Sequence, residues 1–275
     1  MIAALALALL TGAPQGHPLH WEKKLDVALQ KAKAQNKPVM IDFWAEWCEW
    51  CHRLDQTTYA DANVQQILAG FVTVKIDTEG GNEGPETAAE FGVDSLPTIV
   101  FLSPSRRLLL KVTGFQGPGQ FPETLASAKE ASDKVQGWET TLAKNPNDPT
   151  ALSELGLHLF DQEMLRESAP LLERARAHDE QRTGRDRKQV RAVLGVIAMQ
   201  ERKYPEAEAV LKEALGLPAV EDYDARVLFI LSRMYMRWGK KDEARSCLKT
   251  ILSAHGASTV ASKAKMMLAE MDTKP

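Results

Sequence analysis

Apolar residues recur along this chain with two different periods, and the change from one to the other divides it. Trp21, Leu25, Ala28, Leu29 and Ala32 fall at helical spacing with lysines and acids between them, which predicts a helix over residues 21–35. Asn36-Lys37-Pro38 stops it. Val39 to Trp44 is a short run of strand formers and predicts a buried strand with one acid, Asp42, embedded in it. A helix is expected from Cys51 through Leu54, then a second piece capped by Asp61, running through Val64, Ile67 and Leu68 and closed by Gly70. Residues 71–77 read as a strand, 78–86 as a loop rich in glycine and acids, and 87–91 as a short helix ended by Gly92. Strands at 98–102 and 108–113 flank a Ser103-Pro104-Ser105 turn, and a helix over 121–135 closes the set. Such alternation predicts an α/β sheet covered by helices on both faces.

From about Trp138 the strand signals stop, and Ala, Leu, Glu, Lys and Arg dominate. Asn145-Pro146-Asn147-Asp148-Pro149 marks a boundary and a helix start. Beyond it the chain repeats. Leu155-Gly156 and Leu194-Gly195 lie 39 residues apart, as do Leu172 and Leu211, and Ala175 and Ala214. A third unit aligns more loosely through Tyr235, Gly239, Ala244 and Leu248, with 37 residues between Leu211 and Leu248. Lys203-Tyr204-Pro205-Glu206-Ala207 has its counterpart in Lys240-Lys241-Asp242-Glu243-Ala244, each setting an Ala four residues before a Leu. Each predicted hairpin has an apolar face that it cannot bury alone, so neighbours must stack. The pattern over residues 146–272 resembles tetratricopeptide repeats with lengthened turns; a generic helical bundle is the alternative. The expected layout is an apolar stretch at 1–16, a sheet-containing domain at 17–136 and a helical-repeat domain at 137–275.

Composition narrows the functions. The 275 residues carry 34 basic and 37 acidic side chains, a net charge of −3, so no broad basic footprint for nucleic acid is expected. No apolar run approaches the roughly 20 residues of a membrane span. Ile2 to Leu10 followed by Thr11-Gly12-Ala13-Pro14 resembles the apolar core and cleavage zone of a secretory signal. It lacks the preceding basic residues, and Pro14 sits badly after a cut at Ala13. Export is the expectation, to the periplasm or outside the cell. A frayed apolar tail on a cytoplasmic protein is the alternative.

Three cysteines are too few for a disulfide scaffold. Cys247 sits in a helical pattern and reads as a small buried hydrophobe. The other two form Cys48-Glu49-Trp50-Cys51. A zinc site needs about four ligands and only one pair is present, so no metal is expected. Set between a buried strand and a helix start, the pair points to redox chemistry instead. At a helix N-terminus, free N–H groups and the helix dipole stabilise a thiolate, the attacking species in disulfide exchange. Cys48 is then the expected nucleophile and Cys51, one turn on, the resolving thiol.

Residues 41–48, Ile-Asp-Phe-Trp-Ala-Glu-Trp-Cys, resemble the active-site strand of the thioredoxin family. Lys37-Pro38-Val39-Met40, the long segment after the CxxC and Val112-Thr113-Gly114-Phe115 are more similar to the C-terminal periplasmic domain of the disulfide reductase DsbD. The resemblance covers about residues 20–132. It implies a thioredoxin fold, so the expected fold class is an α/β thioredoxin fold followed by an all-α helical-hairpin solenoid. It implies that Leu96-Pro97-Thr98 is the cis-proline loop facing the cysteines, with Leu96 offering backbone hydrogen bonds to a substrate. It implies that Asp42 is the family's buried carboxylate, a proton relay for Cys51; the alternative is a strand acid that only hydrogen-bonds nearby. Trp44 and Trp47 become an apolar rim for partners, with ordinary packing an equal reading for Trp44. Trp50 joins the substrate-binding residues.

The chain departs from the family where Glu49-Trp50 replaces the usual Gly-Pro. An acid beside Cys48 disfavours its thiolate, and an aromatic changes which partners fit. The family's lysine near the buried acid is expected at Thr73. His52 reads as a solvated helix residue rather than a base. The expected activity is a thiol:disulfide oxidoreductase reducing protein disulfides, without a cofactor, drawing electrons from a dithiol protein, with the repeats holding a peptide or protein partner. The alternative is a scaffold or chaperone-like repeat protein whose CxxC is regulatory or structural.

Overall fold

The computed structural model describes residues 19–81 and 83–273, so the apolar stretch read as a signal lies outside the described residues. The chain divides into two compact units, residues 1–136 and 137–275.

The first unit is built on a five-stranded sheet in the order β1-β3-β2-β4-β5. Its strands are β1 (Trp21–Glu22), β2 (Val39–Trp44), β3 (Val72–Asp77), β4 (Thr98–Leu102) and β5 (Leu108–Thr113). β1, β3 and β2 run parallel, β4 is antiparallel to β2, and β5 is antiparallel to β4 and so runs in the direction of the first three. Every residue of β4 and the first five of β2 are buried, so both faces of the sheet's centre are covered. Around it lie α1 (Leu25–Gln35), α2 (Glu49–Arg53), α3 (Ala62–Leu68), α4 (Glu83–Glu90) and α5 (Phe121–Lys144). Asp61 caps α3 as expected, accepting from the N–H groups of Asn63 and Val64.

Four boundaries differ from the sequence reading, one being the closing helix, which runs on past Val135 to Lys144. Trp21 and Glu22 do not start the first helix. They pair with Thr73 and Val74 as an edge strand, because the exposed side of β3 offers ladder partners that helical periodicity does not reveal. The helix after the CxxC begins at Glu49 and passes into a π-helical turn over Leu54–Thr58. The predicted loop over 78–86 already becomes helix at Glu83.

The second unit is wholly helical among the described residues. Its elements are α6 (Pro149–Asp161), α7 (Leu165–Ala177), α8 (Gly184–Gln200), α9 (Tyr204–Gly216), α10 (Glu221–Trp238), α11 (Lys241–Ala254) and α12 (Ala261–Thr273). They pack chiefly as the pairs α6–α7, α8–α9 and α10–α11, the arrangement of a helical-hairpin solenoid. The three hairpin turns are conformational copies. Glu163, Arg202 and Gly239 all take positive φ, at 62°, 61° and 82°. The next residue, Met164, Lys203 or Lys240, donates its N–H back to the carbonyl of Leu159, Ala198 or Tyr235. The 39-residue spacing has a packing cause too. Gly156 leaves room for Leu172, and Gly195 for Leu211; a Cβ on either glycine would come within 2.8 Å of the leucine side chain. Ser232, 37 residues after Gly195, is also buried.

Candidate functional site

The CxxC emerges where β2 ends and α2 begins. Cys48 is the N-cap of α2, and its sulfur accepts the Cys51 N–H at 3.1 Å. Cys48 and Cys51 are joined by a disulfide. Cys48 keeps 3% of its surface exposed and Cys51 none, so an incoming group reaches Cys48. Two tryptophans stand out into solvent beside them, Trp47 at 65% exposure and Trp50 at 53%. Each is anchored: the Trp47 indole N–H donates to Glu79 at 2.7 Å, and Trp50 packs on Phe115 with the Arg53 guanidinium over both rings. The Leu96–Pro97 peptide bond is cis, and the Pro97 carbonyl accepts from Gly114 N–H. Pro97 is buried and Leu96 half-buried.

Asp42 lies wholly inside, on β2. Burial raises its pKa to about 6; Lys75 pulls it down, Asp55 pushes it up and Tyr59 lowers it slightly. The Lys75 ammonium stands 3.1 Å from Asp42 Oδ2 and 2.6 Å from Asp55. It also lies over the rings of Trp21, Trp44 and Tyr59 at 5.2–5.8 Å. The expectation of Thr73 at this place is therefore corrected. The β2–β3 register sets Asp42 opposite Lys75, while Thr73 faces Met40 and donates to the His20 carbonyl. Aligning the two strands end to end, Val39 to Val72 and Trp44 to Asp77, would have found the lysine.

Other neighbours carried weaker sequence signals. Asp55, Tyr59, Phe115 and Glu79 are brought to the site by the π-helical turn and by loops, and have no motif of their own. His52 is half-buried rather than fully solvated. Its Nε2 donates to the Glu46 carbonyl at 2.7 Å and its ring meets the edge of Trp44. Trp44 is half-buried between His52 and Lys75, set apart from the exposed Trp47 and Trp50. Cys247 is partly buried in the helical unit, with its thiol pKa pushed up by burial.

The comparisons with known proteins agree with this geometry. A thioredoxin-like family model matches residues 20–104. Within that span the chain has a thioredoxin-like domain, and its homology there is to DsbD. The thiol:disulfide interchange protein DsbD of Campylobacter jejuni is 37% identical over 87 residues, 31% of this chain and 15% of that protein. DsbD of Ralstonia nicotianae is 32% identical over 120 residues, 43% of this chain and 19% of that protein. This chain thus spans less than a fifth of the length of these curated relatives. Among solved structures, a DsbH oxidoreductase is 21% identical, with 47% of this chain and 95% of that chain covered and a TM-score of 0.40.

Proposed function

We propose that the protein is a thiol:disulfide oxidoreductase that reduces disulfides in other proteins through Cys48 and Cys51. The observation that carries this reading is the Cys48–Cys51 pair at the start of α2, with the outer sulfur alone reachable and Asp42 buried on the adjoining strand. In the dithiol form, the Cys48 thiolate attacks a substrate disulfide. One substrate sulfur leaves as thiolate and Cys48 is left in a mixed disulfide. Cys51 then gives its proton to the Asp42 carboxylate and attacks the Cys48 sulfur. The Cys48–substrate bond breaks, and the second substrate sulfur leaves with the electron pair. Two electrons pass to the substrate, and a dithiol donor protein restores the pair by the reverse sequence. Trp47 and Trp50 serve as the apolar rim that receives the substrate, and Leu96 and Pro97 line its backbone.

The hairpin repeats support a tetratricopeptide-like role in holding a peptide or protein partner, raising its local concentration near the redox centre. Glu173, Arg176, Leu194 and Val210 line a groove of about 290 Å³ suited to a side chain of such a partner. The apolar run at residues 2–10 and the kinship with an interchange protein support a periplasmic or secreted setting. Among the described residues no helix is long and apolar enough to cross a membrane.

Reduction of a protein disulfide by the full chain, with a small dithiol as donor, tests the reading. Cys48→Ser should abolish turnover, and Cys51→Ser should accumulate a mixed disulfide through Cys48. Unchanged turnover in Cys48→Ser would sink the redox reading and leave the repeats as the functional part.

A further inference from the structure

Tyr59 has no task in the scheme above, yet it sits against the redox centre's buried acid. Its ring belongs to the core, 5.1 Å from Trp21 and 5.8 Å from Phe121, and only 4% of the residue is exposed. A phenylalanine would fill that space equally well. The hydroxyl is buried and has no well-formed hydrogen bond, and the same holds for both carboxylate oxygens of Asp42. Leaving such a group unpaired costs on the order of 1–3 kcal/mol, so its presence in the core calls for a reason.

The surroundings supply one. Lys75 links the two groups in space, 3.1 Å from Asp42 Oδ2 and 5.8 Å from the centre of the Tyr59 ring. A cleft of about 480 Å³ is lined by Trp21, Trp44, Asp55, Tyr59 and Lys75, while Asp42, wholly buried, does not line it. Burial, and next the carboxylate of Asp42, push the phenol's pKa well up, so it remains a proton-bearing donor. The charged groups facing Asp42 are Lys75 from β3 and Asp55 from the π-helical turn, while β4 sets uncharged Ile99 opposite it.

We propose that Tyr59 is a positioning residue for the thiol–disulfide reaction: its hydroxyl donates directly to the Asp42 carboxylate and holds it ionised to receive the Cys51 proton. This rests on the redox reading above. In the resolving step the proton moves from Cys51 to Asp42, and it returns to Cys51 when a dithiol donor next reduces the pair. Tyr59 keeps its own proton throughout, and no electrons pass through it.

Tyr59→Phe in the full chain removes the hydroxyl and keeps the ring. The first readout is a carboxyl-carbon NMR titration of Asp42 in the disulfide form, which requires no exchange activity. Loss of a donor to the carboxylate should move its midpoint upward by about one pH unit. The second readout is the pH dependence of the resolving step. With the midpoint moved by about that much, kcat should fall roughly fivefold at pH 6 and stay nearly unchanged at pH 8, with KM unaffected. An Asp42 titration that overlays the wild type, or a midpoint that falls, overturns the proposal even if the variant is less stable. Exchange persisting in Cys48→Ser would instead remove the redox reading and leave the titration result standing.

Discussion

Lys188 in the helical unit and Asp42 in the thioredoxin-like unit are both fully buried charged-type side chains. The Lys188 ammonium has three acceptors, the carbonyls of Ala214 and Leu217 at 2.7 and 3.2 Å and Asp224 Oδ1 at 2.5 Å. The other Asp224 oxygen accepts the Val220 N–H. Nearby, Arg191 bridges Asp179 and Glu213 in the same saturated manner. Asp42 has a single cation at ion-pair distance and no well-aligned hydrogen bond. A buried charge whose partners are complete holds helices in place. One whose partners are incomplete has its pKa moved toward neutrality, where a proton can be taken and released.

Removing one partner from each cluster gives the sharpest contrast. Lys188→Met removes the counter-charge of Asp224 and a donor to two carbonyls in the interior. It should cost about 3–5 kcal/mol, read as lost hydrogen-exchange protection across residues 184–217 of the full chain. Asp42→Asn should act in the opposite sense. The folded pKa of Asp42, about 6, lies above its ordinary 3.8, so the native state binds the extra proton between those values. Wild-type stability therefore falls as pH rises through about 4 to 6 and stays low above it. The asparagine variant should be more stable than wild type by at most about 3 kcal/mol at pH 8, and equal to it near pH 4. Urea titrations at both pH values check this, and equal stability differences at the two would contradict the contrast.

The turn and packing sites of the repeats extend the comparison to uncharged groups. Gly195→Ala sets a Cβ 2.5 Å from Leu211 carbons and should cost about 1–3 kcal/mol. Combining it with Leu211→Ala should show a strongly non-additive cycle. If the two losses simply add, the glycine–leucine fit is not what sets the repeat. Arg202→Gly relieves a positive φ that Gly239 already accepts in the third hairpin, and should stabilise by about 1 kcal/mol. Gly239→Ala should lose a similar amount; thermal unfolding of both variants tests the equivalence of the turns.

Much of this was legible in the residues. Strands β2 and β4 lie where short runs of strand formers meet turn signals, because a strand buried on both faces must be almost continuously apolar. The redox pair was legible because the strand–CxxC–helix order confines two sulfurs to a helix start. The hairpin spacing was legible because Gly156 and Gly195 recur at the same interval as the leucines they make room for, Leu172 and Leu211. Trp21 was misread because two residues of edge strand lie within helical periodicity, and edge pairing is decided by what β3 leaves open.

Local pattern, then, determined the elements, the two-part organisation and the identity of the reacting cysteines, since helix caps, strand runs and a CxxC are properties of neighbours in the chain. Tertiary structure alone decided the company of Asp42. Lys75, Asp55 and Tyr59 reach it from β3 and from the π-helical turn and its end. Which of them faces the carboxylate depends on strand register, where a shift of two residues exchanges Lys75 for Thr73. A pKa is set by burial and by charges across space, and neither is written in the order of the residues.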